Sequence, residues 1–238
     1  MKITVIIPTL NEELYLGNLL DSLKVQTRKP NEVIVIDAGS KDQTLKIADK
    51  YKVKIVKAKP PVGYQRNHAG KIAKGDLLVY LDADSVVNPD FLQKVEIHYS
   101  KKKFNIACPY YFLYKSRADI KLFFVFLNLI FFLTQKLLPS GAGICIVIEK
   151  KIFMDSKGFD KDTKFDDIKL IRDIAKRNKF RMLPIVVFTS DRRFIKYGVF
   201  RTMFTYILLS IIFSTNLVKL ANKIKYEFGE YNNNLSTK

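Results

Sequence analysis

Cysteine is scarce in this 238-residue chain. Cys108 and Cys145 lie in apolar, strand-like runs without metal-type spacing, and two such residues build no disulfide framework. They read as buried small hydrophobes in a reducing compartment. Histidine is equally rare, and His68 and His98 are too far apart to form a ligand pair, so both read as ordinary helix-face residues. No G-x-G-x-x-G follows the first apolar run, which excludes a dinucleotide fingerprint, and no Walker lysine loop is present. The GAG at 141–143 is too short for a phosphate loop. No internal repeat is visible. Acid is in short supply: Asp and Glu number 23 against 41 Lys and Arg, for a net charge of +18. Such a balance favours anionic partners: nucleic acid, anionic lipid or a phosphorylated substrate.

What is present is an alternation. ITVII (3–7), EVIVID (32–37), KVKIV (52–56) and LLVYL (77–81) read as strands. Between them lie helix-like stretches from Glu12 to about Val25, over 42–51 and over 63–74, and another helix starts from Pro89 with Asn88 as its cap. MKITVIIPTL is read as a first strand rather than a secretory leader. Near-continuous apolar strands alternating with helices predict an α/β fold with a mostly parallel, doubly wound sheet, whose ligands bind at the carboxyl ends of the strands. Beyond residue 105 the pattern loosens. Strands are expected at 105–114, 141–150 and 181–189, and helices at 122–135, 165–180 and 202–218. The expected organisation is a nucleotide-binding half over 1–104 and an acceptor-binding half of the same domain over 105–195. A hydrophobic and basic helix follows over 196–225, then a polar tail over 226–238.

The fourth strand ends in LDADS. If the segment is extended, the side chains of Asp82 and Asp84 point the same way and converge at the mouth of the sheet. Two such carboxylates suit a hard cation, Mg²⁺ or Mn²⁺, shared with substrate phosphates. The alternative is a polar loop in which an aspartate caps the next helix, a role that Asn88 fills instead. PTLNEE (8–13) and DAGSKDQT (37–44) follow the first and second strands, where ligand loops sit, and QRN (65–67) brings Arg66 early into the third helix.

VIIPTLNEE (5–13), VIVIDAGSKDQT (33–44), QRNHAGKIAKGDLLVYLDADS (65–85) with NPDFL (88–92), and more loosely GFDKDTKFDD (158–167), together resemble the family-2 glycosyltransferases of the GT-A fold. The resemblance runs from residue 3 to about 195. It implies an inverting hexosyltransferase-type enzyme, dependent on Mg²⁺ or Mn²⁺, that moves a sugar from a nucleotide-diphosphate donor. Pro8, Thr9 and Glu12 would line the nucleotide pocket, Asp37 would bond the base, and Arg66 would hold the nucleotide or its diphosphate. Asp82 would lie near the ribose and the metal, and Asp84 would bind the metal. The family's catalytic base falls on Asp167, with Asp166 its neighbour. Arg192 and Arg193, in SDRRFIKYG (190–198), would clamp the leaving diphosphate; a basic rim against membrane is the other reading. The sequence departs from the family where Asp166 replaces a glutamate, Lys169 replaces an acidic residue, and GFD carries one glycine instead of two.

The uncharged run 122–135 is too short to span a bilayer, and 202–218 sits at the lower limit of about 17 residues. Flanked by Arg192, Arg193, Lys196, Arg201, Lys219, Lys223 and Lys225, the second run reads as an interfacial helix, a marginal span, or half of a packed hydrophobic pair. The expected setting is cytoplasmic, peripheral or monotopic at the cytoplasmic membrane face. The expected acceptor is a glycan or a lipid-linked molecule, including a polyprenyl phosphate, and no nucleic-acid partner is expected. Rival readings are a nucleotidyltransferase, a nucleic-acid-binding basic module, and a catalytically inactive transferase fold associated with membrane. The first wants a glycine-rich basic loop after strand one. The second wants aromatics interleaved with basic residues.

Overall fold

A computed structural model describes residues 1–114, 116–161 and 165–214. The first half runs β1 (Ile3–Thr9), α1 (Leu16–Lys24), β2 (Glu32–Asp37), α2 (Thr44–Lys50), β3 (Lys54–Lys57), α3 (Val62–Ile72), β4 (Leu77–Leu81), β5 (Ser85–Val87) and α4 (Phe91–Lys102). The second runs β6 (Ile106–Leu113), α5 (Ala118–Thr134), β7 (Cys145–Glu149), α6 (Lys150–Asp155), α7 (Asp166–Ala175), β8 (Phe180–Thr189), α8 (Arg192–Tyr197) and α9 (Val199–Ser214). The part of the expected 196–225 helix beyond residue 214, with Lys219, Lys223, Lys225 and the 226–238 tail, lies outside the described residues.

Among the described residues, eight strands share one sheet in the order β3-β2-β1-β4-β7-β6-β8-β5. The pairings β1–β2, β1–β4, β2–β3 and β6–β8 are parallel, so the sheet is mostly parallel as expected. β7 enters between β4 and β6 antiparallel to both, and β5 closes the edge antiparallel to β8. The antiparallel β7 was not legible in the sequence, because a strand buried on both faces shows the same apolar run in either direction.

Alternation along each central strand feeds two cores. Ile3, Val5 and Ile7 of β1, with Leu77, Val79 and Leu81 of β4, pack with α1 and α4 through Leu16, Leu19, Phe91 and Leu92. Ile6, Leu78 and Tyr80 face the opposite side, where Ala69 of α3, Phe153 of α6 and Ile171 of α7 cover them. Burying one such aliphatic side chain contributes about 1.5–3 kcal/mol. Cys108 and Cys145 are buried in these layers as free thiols, as their apolar settings predict. A third cluster joins Tyr111, Phe124 and Phe194 with Tyr206, seating α5, α8 and α9 beside the sheet.

Two local expectations need correction. The helix after β5 begins at Phe91, and Asn88 does not cap it with its side chain. Instead the Asn88 carbonyl accepts from the Phe91 N–H at 3.0 Å and from Gln26 Nε2 at 2.7 Å. The chain is thus pinned to the α1 side by its main chain before the helix starts. The extended segment expected at 82–84 is a tight turn closed by Ser85 N–H donating to Asp82 O at 3.0 Å, and the short strand β5 follows it.

Candidate active site

The carboxyl ends of β1 and β4 open into a cavity of about 1050 Å³. One half is polar, and Pro8, Thr9, Glu12, Arg66, Asp82, Asp84, Asp166, Asp167, Arg192 and Arg193 all line it. Nine of the ten residues singled out from sequence are therefore brought together, along with Asp166.

Asp37 is the exception. It is 1% exposed and does not line the cavity. Its Oδ2 accepts from the N–H groups of Gly39 (2.8 Å) and Ser40 (2.9 Å), and its Oδ1 from the hydroxyls of Ser40 and Thr9. Four donors fill the acceptor sites of one carboxylate. Asp37 shapes the loop after β2, where Gly39 takes φ +100°. Beside it, Gln65 of α3 ties β1 to β2 by donating Nε2 to Thr9 O (3.0 Å) and Ile36 O (2.8 Å).

Arg66 stands at the centre. Its position on the buried face of α3 excludes a solvated helix charge. Nη2 donates to Asp82 Oδ1 at 2.8 Å, Nη1 to Asp166 Oδ1 at 3.2 Å, and the guanidinium lies 5.3 Å from the Phe159 ring centroid. Burial disfavours this charge, but the carboxylates of Asp166 and Asp82 outweigh it and hold the group protonated. Burial also raises Asp166 to about 7, against the attraction of Arg66 and with the charge of Asp167 adding to the rise. Asp167 is raised by burial, with Arg66 opposing.

The two neighbouring aspartates open α7 but differ in their setting. Asp166 is buried, held by Arg66, and accepts from the Asp167 N–H at 3.0 Å. Asp167 is partly buried on the cavity wall. Glycines make room for both: a Cβ at Gly63 would stand 3.0 Å from Asp166 Oδ2, and one at Gly143 would stand 2.3 Å from Asp167 Oδ2. Gly143 is a site residue that the sequence did not reveal, since only the fold places the β7 approach against α7. Lys169, standing where the family carries acid, pairs with Asp160, another residue of the cavity wall.

On the opposite wall, Arg192 gathers two carboxylates. Its Nη1 donates to Glu12 Oε2 at 2.9 Å, and its Nε lies 2.9 Å from Asp84 Oδ2. Ser190 Oγ also donates to Asp84 Oδ2, at 2.6 Å. Burial raises Glu12 to about 7, opposed by Arg192 and assisted by the charges of Asp84 and Asp82. Asp82 is likewise raised by desolvation, against Arg66.

Could Asp82 and Asp84 hold a divalent cation? Each commits one oxygen to an arginine, Oδ1 of Asp82 and Oδ2 of Asp84, which leaves the other oxygen of each outside the pair. Among the described residues no group of three or more His, Cys, Asp or Glu forms a ready-made metal cage. Two carboxylate oxygens without a full cage fit a hard cation that takes its remaining ligands from substrate phosphates and water.

A mostly parallel α/β sheet with an inserted antiparallel strand, opening at an acidic turn after the fourth strand, is the layout of a GT-A fold. Comparison with solved structures agrees. The crystal structure of Staphylococcus aureus TarS 1-349 superposes with a TM-score of 0.64 at 20% identity, covering 89% of this chain and 66% of that one. A mannosyltransferase from Pyrobaculum calidifontis, solved with GDP-Man and Mn²⁺, gives 0.64 at 20% identity, covering 79% and 56%. The family model for glycosyl transferase family 2 matches residues 4–156, and the chain belongs to that family. In sequence, the poly(ribitol-phosphate) β-N-acetylglucosaminyltransferase TarS of S. aureus is 38% identical over 103 residues, 39% of this chain but only 18% of TarS.

Proposed function

We propose that the chain transfers a sugar from a nucleotide-diphosphate donor to an acceptor by a single inverting displacement. The observation that carries this is the meeting, in one cavity, of the acidic turn after β4, the Asp166–Asp167 pair and the arginines that open α8. Pro8, Thr9 and Glu12 line the nucleotide end, and Arg66 acts through Asp82 and Asp166, which it positions. Asp82 and Asp84 would hold Mg²⁺ or Mn²⁺; a cation there supplies positive charge to the donor diphosphate and to the bond that breaks. Arg192 and Arg193 bring two more positive charges to the same wall.

In the transfer, the acceptor oxygen bonds to the anomeric carbon while the bond from that carbon to the diphosphate oxygen breaks. The nucleoside diphosphate leaves with the electron pair. When the acceptor is a hydroxyl, Asp167 takes its proton. Its place on the cavity wall suits Asp167 to this task better than Asp166, which is buried and held by Arg66. When the acceptor is a polyprenyl phosphate, its oxygen is already largely ionised, with a second pKa of about 6, and Asp167 orients it.

In this reading residues 1–104 carry the donor and 105–195 the acceptor. The acceptor is lipid-linked, and the protein works at the cytoplasmic face of a membrane without crossing it. No helix among the described residues is long and apolar enough to span a bilayer. The cavity's other half supports a lipid-linked acceptor, since Phe124, Leu127, Phe131 and Leu209 line it. The test is release of nucleoside diphosphate from UDP-, GDP- and dTDP-sugars in the presence of a lipid extract. One donor should be consumed, with a glycosylated lipid formed in equal amount and a loss of at least about a hundredfold in Asp167→Asn if the acceptor is a hydroxyl. No turnover with any donor by folded protein would refute the proposal.

A further inference from the structure

We infer that the apolar half of the cavity holds the hydrocarbon chain of the acceptor, and that it opens on a face of α5 and α9 that rests on an anionic lipid surface. This builds on the transferase reading above and adds to it the route by which the acceptor arrives.

The face is defined by helical geometry. On α5, Leu122, Phe126, Leu129 and Leu133 recur at spacings of four, three and four, with Phe126 58% and Leu133 68% exposed. The opposite side, with Ile120, Phe124 and Leu127, is buried. On α9, Phe200, Phe204 and Ile207 form a similar stripe, with Phe200 89% exposed. Phe123 and Tyr206 stack with ring centroids 6.5 Å apart, so α5 and α9 touch through their aromatic rings. Residues three and four apart share one helix face, so each stripe is a single continuous surface. An exposed apolar surface of this kind marks a contact with a protein or a membrane.

Charge decides which. Lys121, Lys136, Lys196 and Arg201 are exposed on or beside the two helices. Asp119 is the one acidic residue within α5, where it pairs with Arg117, and the α9 sequence has none. Basic residues around an apolar face match the anionic headgroups above a hydrocarbon layer. Two copies of the same face would instead bring like charges together. The 17 residues of α5 reach about 25 Å, short of a bilayer's hydrocarbon core, so the helix lies in the interface.

The cavity reaches this face. Phe124, Leu127 and Phe131 of α5, with Tyr206 and Leu209 of α9, line its apolar half. Ile130 both lines the cavity and is half exposed on the outer surface of α5, which places a mouth there. A chain entering from lipid past Ile130 leaves its polar head toward Asp167 and the arginines. The ligand class is thus an amphiphile with a single long chain and an anionic or hydroxyl head.

The experiment uses the full chain. Flotation with vesicles of phosphatidylglycerol and phosphatidylcholine should show binding that phosphatidylcholine alone does not support and that salt weakens. Phe126→Glu with Leu133→Glu should lower it about a hundredfold while leaving UDP and GDP binding unchanged. A second arm compares hexadecyl phosphate with butyl phosphate by calorimetry below micellar concentration. The long form should bind at least about tenfold tighter, and Ile130→Trp should remove that preference without reducing vesicle binding. Equal vesicle binding by wild type and the double variant would overturn the surface. So would a dimer that the double variant dissociates. No preference for the long chain would overturn the chain site. Intact vesicle and chain binding with no nucleotide binding would count against the transferase reading alone.

Discussion

Replacing Arg66 by methionine removes the charge at the centre of the site and keeps most of its unbranched stem. Arg66 faces Asp82 at 2.8 Å and Asp166 at 3.2 Å, and both it and Asp166 are buried. At an effective dielectric of about 20, those separations correspond to gross attractions of about 6 and about 5 kcal/mol. The cost of burying the guanidinium offsets most of this, and removing one partner of a buried pair leaves a net loss of about 3–5 kcal/mol. The loss should depend on pH. Asp166 titrates in the folded protein at about 7, above its ordinary value of 3.8. Its ionisation therefore costs stability as pH rises between those values, and Arg66 relieves that cost only where Asp166 is charged. Without Arg66 the Asp166 carboxyl is held still further above its ordinary range, so the deficit of Arg66→Met should be larger at about pH 8, where Asp166 ionises only beside Arg66, than at about pH 5, where it is protonated in both proteins. Urea denaturation of the two proteins at each pH, compared at constant m-value, measures it. A deficit under about 1 kcal/mol at the higher pH, or one independent of pH, would refute the arrangement of Arg66 between Asp82 and the buried Asp166.

Gly143→Ala is the companion test on the other side of the site. Its Cβ would lie 2.3 Å from Asp167 Oδ2, about 1 Å inside ordinary contact, so the carboxylate must move. A misplacement of about 1 Å should cost roughly a hundredfold in turnover, measured as nucleotide release with a hydroxyl acceptor, while nucleotide affinity holds. Unchanged turnover would remove Asp167 from the chemistry. The thiols offer a check on the fold: burial pushes both Cys108 and Cys145 well above the ordinary thiol range. Native protein should resist a thiol reagent and react at both cysteines only in denaturant.

Much of the scaffold was legible in the sequence because strands such as LLVYL and amphipathic stretches such as 166–175 carry their own periodicity. The acidic turn at 82–84 was legible because two carboxylates ending an apolar run demand a reason. Contacts between distant segments were not. Nothing in the sequence places Arg192 against Glu12, 180 residues away, or Arg66 between Asp82 and Asp166. Asp37 illustrates the converse. Its place after a strand suggests a ligand contact, but two loop N–H groups take up its Oδ2 and the Ser40 and Thr9 hydroxyls its Oδ1. Asn88 misled because N-P-D reads as a cap, whereas its carbonyl is drawn to Gln26 and Phe91. The close approach at Gly143 depends on the absence of a Cβ, which no hydrophobic pattern records.

The most direct measurement is calorimetric titration of the protein with UDP, GDP and dTDP, each with and without Mn²⁺, repeated on Asp84→Ala shown to be folded. A donor site on the acidic turn predicts that one nucleotide binds tightly, and that binding is lost without the cation and lost in the variant. No binding of any of the three by folded wild-type protein would contradict it, as would binding indifferent to both the cation and Asp84.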